Sequence, residues 1–314
     1  MYAAVVNSFG TAPVWQAFPE PQPRSGEVVV DVLAAGLHPR VRSQADGSHY
    51  TSEGSLPLIP GVDGVGRFPD GTTRYFAVAS DIRGSMAERV AVDPRASVRI
   101  PDGADPVAVA AAANPVMSSW VALRHRIAFP RDARVLILGA TGAAGTAAVQ
   151  VAKHLGAARV IASGRNVAQL KRVTALGADE IVPLGDEDAL GRAAGDVDVV
   201  LDYVWGSPAA AAMRAIVTAR TTPGARLDWI TIGSSAGQDA AIPSAALRSS
   251  GLTIVGSGQG SVGRSAFVAE LPEIVKVISD GTIVSAPTAV PASQVEAAWT
   301  SAGGPGAGRL VLTF

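Results

Sequence analysis

The chain has 314 residues, 48% of them hydrophobic, with 26 Lys and Arg against 27 Asp and Glu for a net charge of −1. That is more chain than one hydrophobic core usually supports, hence two domains, and it offers no field that would gather nucleic acid. No cysteine is present, which excludes disulfides, thiolate zinc sites and cysteine nucleophiles, and the histidines (His38, His49, His125, His154) lack metal-site spacing, so no metal is expected. Neither a basic leader nor a run approaching the roughly 20 apolar residues of a membrane span is read, and the expectation is a cytoplasmic protein with no membrane or nucleic-acid partner.

Up to about residue 120 the apolar runs are short and punctuated by Gly and Pro, as in Glu27–Leu33 and Ala87–Val92, the spacing of a compact β-barrel. Asp105–Ala113, rich in alanine, reads as helix, and Trp120–Arg126 reads as the start of a long helix that opens the next domain. From 122 to 259 apolar strands alternate with amphipathic helices, the pattern of a doubly wound α/β domain on a parallel sheet. Its predicted strands are Val135–Leu138, Arg159–Ala162, Glu180–Val182, Val197–Leu201, Leu227–Ile232 and Leu252–Val255. The helix after the first strand places Ala147, Val151 and Leu155 on one stripe. Beyond Gly263 a helix from about Ala266 to Ser279 and a strand Arg309–Thr313 remain, too little for a third core; 260–314 is therefore expected to complete the first domain, 1–121. Gly303–Gly308 reads as a flexible loop.

The first βα turn, Ala140-Thr141-Gly142-Ala143-Ala144-Gly145, is an AxGxxG form of the dinucleotide fingerprint. Gly142 lets the backbone approach a pyrophosphate, Gly145 lets the helix pack on the strand, and the helix N-terminus offers free N–H groups and a favourable dipole. An NAD enzyme places an Asp or Glu about 20 residues on, against the ribose 2′-hydroxyl; here stand Ser163, Gly164, Arg165 and Asn166. Arg165 can pair with a 2′-phosphate and Ser163 and Asn166 can donate to it, so NADP is the expected cofactor, with a solvated helix-start residue as the plainer reading of Arg165. Short-chain dehydrogenase chemistry is excluded, because Tyr2, Tyr50, Tyr75 and Tyr203 are followed four residues on by Val6, Gly54, Ala79 and Ser207 rather than by Lys. Gly233-Ser-Ser235-Ala-Gly237 matches a nucleophile elbow formally, but a loop after a late strand of a nucleotide-binding sheet is expected to lie over the nicotinamide ribose instead.

With these residues in hand the chain resembles the zinc-free quinone oxidoreductase branch of the medium-chain dehydrogenase/reductase superfamily over essentially its whole length. The resemblance rests on Gly26–Val30, Ala35–Pro39, Leu56–Gly66, Gly84–Val90, Asn114–Trp120, Gly139–Gly145, Ile254–Gly258 and Gly308–Leu312. It implies a GroES-like catalytic domain built from both chain ends, a central Rossmann domain, an active site in the cleft between them, and a homodimer joined through the late strands. It also implies hydride transfer from NADPH to a quinone or an α,β-unsaturated carbonyl, so an enal, enone or enoyl thioester is the alternative acceptor; outside the enzyme class the chain reads as a non-catalytic NADPH-binding sensor or structural protein. By position, the resemblance implies His38 beside the nicotinamide, Tyr50 in the substrate cleft with His49 as an alternative proton source, and Met117 and Trp120 near the cofactor or hinge. It further implies Tyr203, Ile232, Gly233, Ser234, Gly256, Ser257, Gly258 and Gln259 over the dinucleotide; plainer readings make His38 a barrel residue and Tyr50 a loop aromatic. Where zinc-dependent relatives have a Cys and a Gly-His-Glu, this chain has His38 and Gly61-Val62-Asp63, so Lewis-acid polarisation is not expected. Val41 stands in place of an Asp common in relatives, and the wall between Val65 and Ala87, with Arg67, Asp70, Arg74 and Asp81, is short.

Overall fold

A computed structural model describes residues 1–52, 54–80, 82–301 and 308–314; Asp81 and all but the last residue of the expected loop Gly303–Gly308 lie outside the described residues. The chain divides into two compact units, Met1–Asn114 with Val268–Phe314, and Pro115–Phe267.

The first unit begins with the antiparallel pair β1 (Tyr2–Val5) and β2 (Val14–Ala17), then β3 (Val28–Gly36), α1 (Pro39–Ala45), β4 (Asp63–Arg67), β5 (Thr73–Ala77), β6 (Arg89–Val92), β7 (Ser97–Arg99) and most of α2 (Pro106–Val121). β3 organises its larger sheet. Along it Val30 and Val32 point inward while Asp31 faces solvent, the alternation of a half-buried strand. A bulge between Val32 and Ala34 shifts its register against β4, and β6 takes the N-terminal half of its other edge. Val5, Val30, Val32, Val41, Phe76, Met86 and Leu312 meet in the core of this unit.

The second unit runs β8 (Arg134–Leu138), α3 (Ala143–His154), β9 (Arg159–Gly164), α4 (Val167–Thr174), β10 (Glu180–Pro183), α5 (Glu187–Ala194), β11 (Val199–Asp202), α6 (Gly206–Ala219), β12 (Arg226–Thr231), α7 (Ser244–Arg248) and β13 (Gly251–Gly256), ending in the first turn of α8 (Arg264–Ser279). Its six strands are all parallel, in the order β10-β9-β8-β11-β12-β13, which is the Rossmann order with its switch point between β8 and β11. Val135, Leu136, Ile137 and Leu138 are all fully buried, because helices cover both faces of a parallel sheet. After α8 the chain rejoins the first unit with β14 (Pro287–Pro291), α9 (Val295–Ser301) and β15 (Arg309–Thr313), and β15 pairs antiparallel with β3.

Several expectations change. Asp105–Ala113 and Trp120–Arg126 are not separate helices: α2 runs through Pro115, and Ala122–Arg126 is a π-helical turn at its end. An internal proline costs about 3 kcal/mol, which burial of Val109, Val116, Met117 and Trp120 offsets here. The chain crosses between units inside α2 and α8, which carry Pro115 and Pro272, rather than at the expected 121 and 260. Pro106–Arg126 is, by length and composition, long and apolar enough to cross a membrane, contrary to the expectation that no stretch approaches that; its most apolar 18-residue stretch (mean hydropathy 1.3) is 72% buried inside the protein. β14, flanked by prolines, carries no strand signal in the sequence and is an addition to the expected elements.

Candidate functional site

Parallel pairing brings the chemistry-bearing segments of the second unit to one edge. Leu138 of β8 pairs with both Ser163 and Asp202, Asp202 with Thr231, and Thr231 with Gly256. The segments that follow these strands, Gly139–Gly145, Arg165–Asn166, Tyr203–Trp205, Ile232–Ser234 and Ser257–Gln259, therefore leave the sheet at the same carboxyl edge, where ligands of open α/β sheets sit.

The glycine turn is shaped by contacts that a side chain would break. Gly139 has φ +86, and a Cβ on Gly145 would lie 2.2 Å from the Gly139 carbonyl oxygen, so only glycine allows α3 to pack there. A Cβ on Gly142, by contrast, would meet nothing nearer than 3.6 Å. Gly142 is the exposed N-cap of α3 and supplies no capping side chain, so the first N–H groups of the helix, those of Ala143 and Ala144 among them, face outward without intrahelical partners. Thr141 packs its side chain beside Gly164 at the start of this cradle. Ala140 is buried, and its N–H and that of Gly139 both donate to the Ser163 carbonyl at 2.9 Å, tying the turn to the end of β9.

Arg165 follows as an exposed cation with no ion pair or hydrogen bond among the described residues. Asn166 uses its side-chain oxygen to cap α4, accepting from the Gln169 N–H at 3.1 Å, which leaves its amide NH2 for other partners. Ser163 is fully buried with its hydroxyl unpartnered among the described residues, so its visible contribution is its carbonyl rather than a hydroxyl presented to solvent. The open Gly142 face, the uncapped helix start and the unpaired Arg165 fit an anionic dinucleotide carrying a further phosphate.

Past β11 stands a buried anchor that no sequence motif announces, Asp202. Asp202 accepts from the Val204 and Trp205 N–H groups at 2.8 and 2.9 Å and from the Trp229 indole N–H at 2.9 Å. Burial nevertheless raises its pKa above the ordinary carboxylate value. These bonds hold Trp205 at φ 50, a left-handed conformation that costs a non-glycine residue on the order of 1–3 kcal/mol. The signal available in sequence was the carboxylate at a strand end just before Gly206, which has φ +68. Tyr203 shares a 3.0 Å hydrogen bond with Ser118, and burial of its hydroxyl pushes its pKa up to about 12. Gly233 must be glycine because a Cβ there would lie 2.9 Å from the Tyr203 carbonyl oxygen. Ile232 and Gly233 donate to the Asp202 carbonyl, Ser234 bonds weakly to Gln238 at 3.4 Å, and Ser235 donates to the Tyr203 carbonyl at 3.0 Å, which makes it a loop tether rather than an elbow nucleophile. Gly256, Gly258 and Gln259 are exposed and Ser257 is buried. Trp120 stacks on His154 at the far end of α3 (centroids 5.3 Å apart), which makes it a core residue rather than a neighbour of the glycine turn.

In the first unit the residues proposed for catalysis separate into two groups. His38, 2% exposed, faces Asp63 (Nε2 to Oδ1, 3.4 Å), and the Tyr75 hydroxyl donates to the other Asp63 oxygen at 2.7 Å. Burial lowers the His38 pKa, with Asp63 opposing the shift, and raises that of Tyr75 well above its usual value, reinforced by the Asp63 charge. Burial likewise brings Arg309 down to about 10 against the pull of the same carboxylate. Buried Gln44 on α1 accepts from the Gly61 N–H at 3.0 Å. Tyr50 stands apart, 72% exposed, with its ring 4.2 Å from that of His49, and His49 contacts Thr51 through Nδ1 at 2.9 Å.

A Rossmann-ordered sheet with an open glycine cradle, joined in one chain to a β-rich unit built from both ends, defines a nucleotide-dependent oxidoreductase of the dehydrogenase type. Residues 143–279 match the family described as zinc-binding dehydrogenase. The chain is 31% identical to the probable NADPH-dependent quinone reductase tdiC of Emericella nidulans over 95% of this chain and 96% of that protein. It is 27% identical to the probable acrylyl-CoA reductase AcuI of Escherichia coli over 60% of this chain and 64% of that one. Its fold superposes on the quinone oxidoreductase of Thermus thermophilus, a protein also solved with NADPH, with a TM-score of 0.86 and 28% identity, covering 100% of both chains. The chain belongs to the medium-chain dehydrogenase/reductase superfamily, in its quinone oxidoreductase branch.

Proposed function

We propose that this protein is an NADPH-dependent reductase that passes a hydride to a quinone. The observation that carries the reading is the exposed, unpaired Arg165 at the end of β9, in place of the carboxylate an NAD enzyme would use, beside an open glycine cradle. The likeness to a quinone reductase over nearly the whole chain supports the acceptor.

The Ala143 and Ala144 N–H groups at the start of α3 would hold the pyrophosphate, and Arg165 with the Asn166 amide the 2′-phosphate; each charge-assisted bond contributes about 1.5–3 kcal/mol. Tyr203, Ile232–Ser234 and Gly256–Gln259 would cover the rest of the dinucleotide. When bound, NADPH supplies a hydride from its reduced nicotinamide ring. The protein's part is orientation and exclusion of water. A quinone needs no metal to accept the hydride, because the negative charge is delocalised in its own product, and the proton comes from Tyr50, from His49 or from water. Burial lowers the His38 pKa below its usual 6.5, which favours the neutral ring and suits a polar hydrogen-bonding group rather than a proton donor.

A second acceptor class, the conjugated enoyl group, is favoured by the likeness to an acrylyl-CoA reductase. The homodimer is likewise a proposal: β13 is the terminal strand of its sheet, and a bare edge is completed by a second copy. The enzyme reading is tested by following NADPH oxidation with quinones, enals, enones and an enoyl thioester. Oxidation with quinones supports it; cofactor binding without turnover on any acceptor favours the sensor alternative.

A further inference from the structure

α2 does not stop as an ordinary helix but widens into the π-helical turn Ala122–Arg126, a distortion that concentrates at functional sites. The turn delivers Arg126 to the loop after β13. There its Nε donates to the Gly256 carbonyl at 2.7 Å and its Nη1 to the Ser261 carbonyl at 2.8 Å, so one guanidinium grips both ends of the loop. Between these points the loop closes on itself: the Ser261 hydroxyl accepts from the Gly258 N–H at 2.9 Å and donates to the Gly258 carbonyl at 2.8 Å, and the Ser257 N–H donates to the Thr231 carbonyl at 2.8 Å. Gly256, Gly258 and Gln259 are left exposed on this frame. α8 begins at Arg264, just past the clamped end. A cation spent on two backbone carbonyls, at the end of a π turn, has as its structural effect the shape of this one loop.

We infer that Arg126 is a positioning residue for the cofactor, holding Gly256–Gln259 in the conformation that binds NADPH; the inference rests on the proposed placement of this loop over the dinucleotide. Without the clamp the loop samples open conformations, and apparent affinity falls in proportion to the population that remains competent.

The test measures NADPH affinity by quenching of protein fluorescence, together with amide hydrogen exchange of the cofactor-free protein, in the unaltered chain, Arg126→Ala and Arg126→Lys. Arg126→Ala is expected to weaken NADPH binding by about tenfold, the effect of a loop competent roughly a tenth of the time. Its KM for NADPH should rise more than its kcat falls, exchange should quicken at 257–261 while β8 stays protected, and Arg126→Lys, which keeps one carbonyl bond, should fall between. An Arg126→Ala affinity within about twofold of the unaltered protein, or faster exchange spread evenly over the second unit, overturns the inference while leaving the NADPH reading standing. Failure of the unaltered protein to bind NADPH overturns both.

Discussion

At the residue scale Arg165 and His38 make opposite kinds of statement. Arg165 is exposed and pairs with nothing among the described residues, so its removal leaves the fold alone: Arg165→Ala should weaken NADPH binding on the order of tenfold and leave NADH unchanged, read by parallel fluorescence titrations. Equal losses for both cofactors would detach Arg165 from the 2′-phosphate. His38 is buried with Asp63, Arg40 and Arg309 acting on it, and its pKa lies below the usual 6.5, chiefly through burial. The unfolded chain therefore binds a proton that the folded chain refuses, so stability is full above pH 6.5 and declines as the pH falls through the window between 6.5 and the lower folded value. Thermal melts from pH 7 to about 5 should fall less steeply for His38→Gln than for the unaltered protein; parallel slopes would show that His38 is not buried neutral.

At the element scale the glycine turn separates packing from binding. Gly145→Ala puts a methyl 2.2 Å from the Gly139 carbonyl oxygen and should lower the melting temperature markedly, by several degrees per kcal/mol of strain, whereas Gly142→Ala, with nothing within 3.6 Å, should leave the melt unchanged and weaken NADPH binding. An unchanged melt for Gly145→Ala would contradict the packing. Asp202→Ala strands three donors, the Val204 and Trp205 N–H groups after β11 and the Trp229 indole on β12, and should cost at least about 3 kcal/mol in chemical denaturation, since each buried unpaired donor costs about 1–3. All six strands of the parallel sheet were legible, the inner ones such as β8 and β11 because strands buried on both faces read as apolar runs and the edge strands β10 and β13 as short apolar stretches between helical segments. So was the glycine turn, whose spacing states its own geometry. What was not legible arises from tertiary contacts. α2 runs through Pro115 because burial outweighs local propensity, and Trp120 turned out to pack on His154. The roles of Asp63, Asp202 and Arg126 depend on partners distant in the chain, 25 residues away for His38 against Asp63, 27 for Trp229 against Asp202 and 135 for Ser261 against Arg126.

At the scale of the whole molecule, two units with separate cores are linked through two proline-bearing helices, α2 and α8. Cofactor contacts proposed for the second unit predict that NADPH at about a hundred times its dissociation constant stabilises that unit by about 2.7 kcal/mol. Hydrogen exchange should show that protection in β8, β9 and β13 and not in β3 or β15. Protection confined to the first unit would contradict the assignment of the site.

Transfer of a hydride from NADPH to a quinone is tested most directly by the loss of reduced-nicotinamide absorbance with benzoquinones, naphthoquinones and phenanthrenequinone beside enals, cyclic enones and an enoyl thioester, each run with NADPH and with NADH. Turnover with quinones is expected, with a clear preference for NADPH that Arg165→Ala abolishes. Turnover with enones or the thioester alone, or equal use of NADH, would contradict this reading.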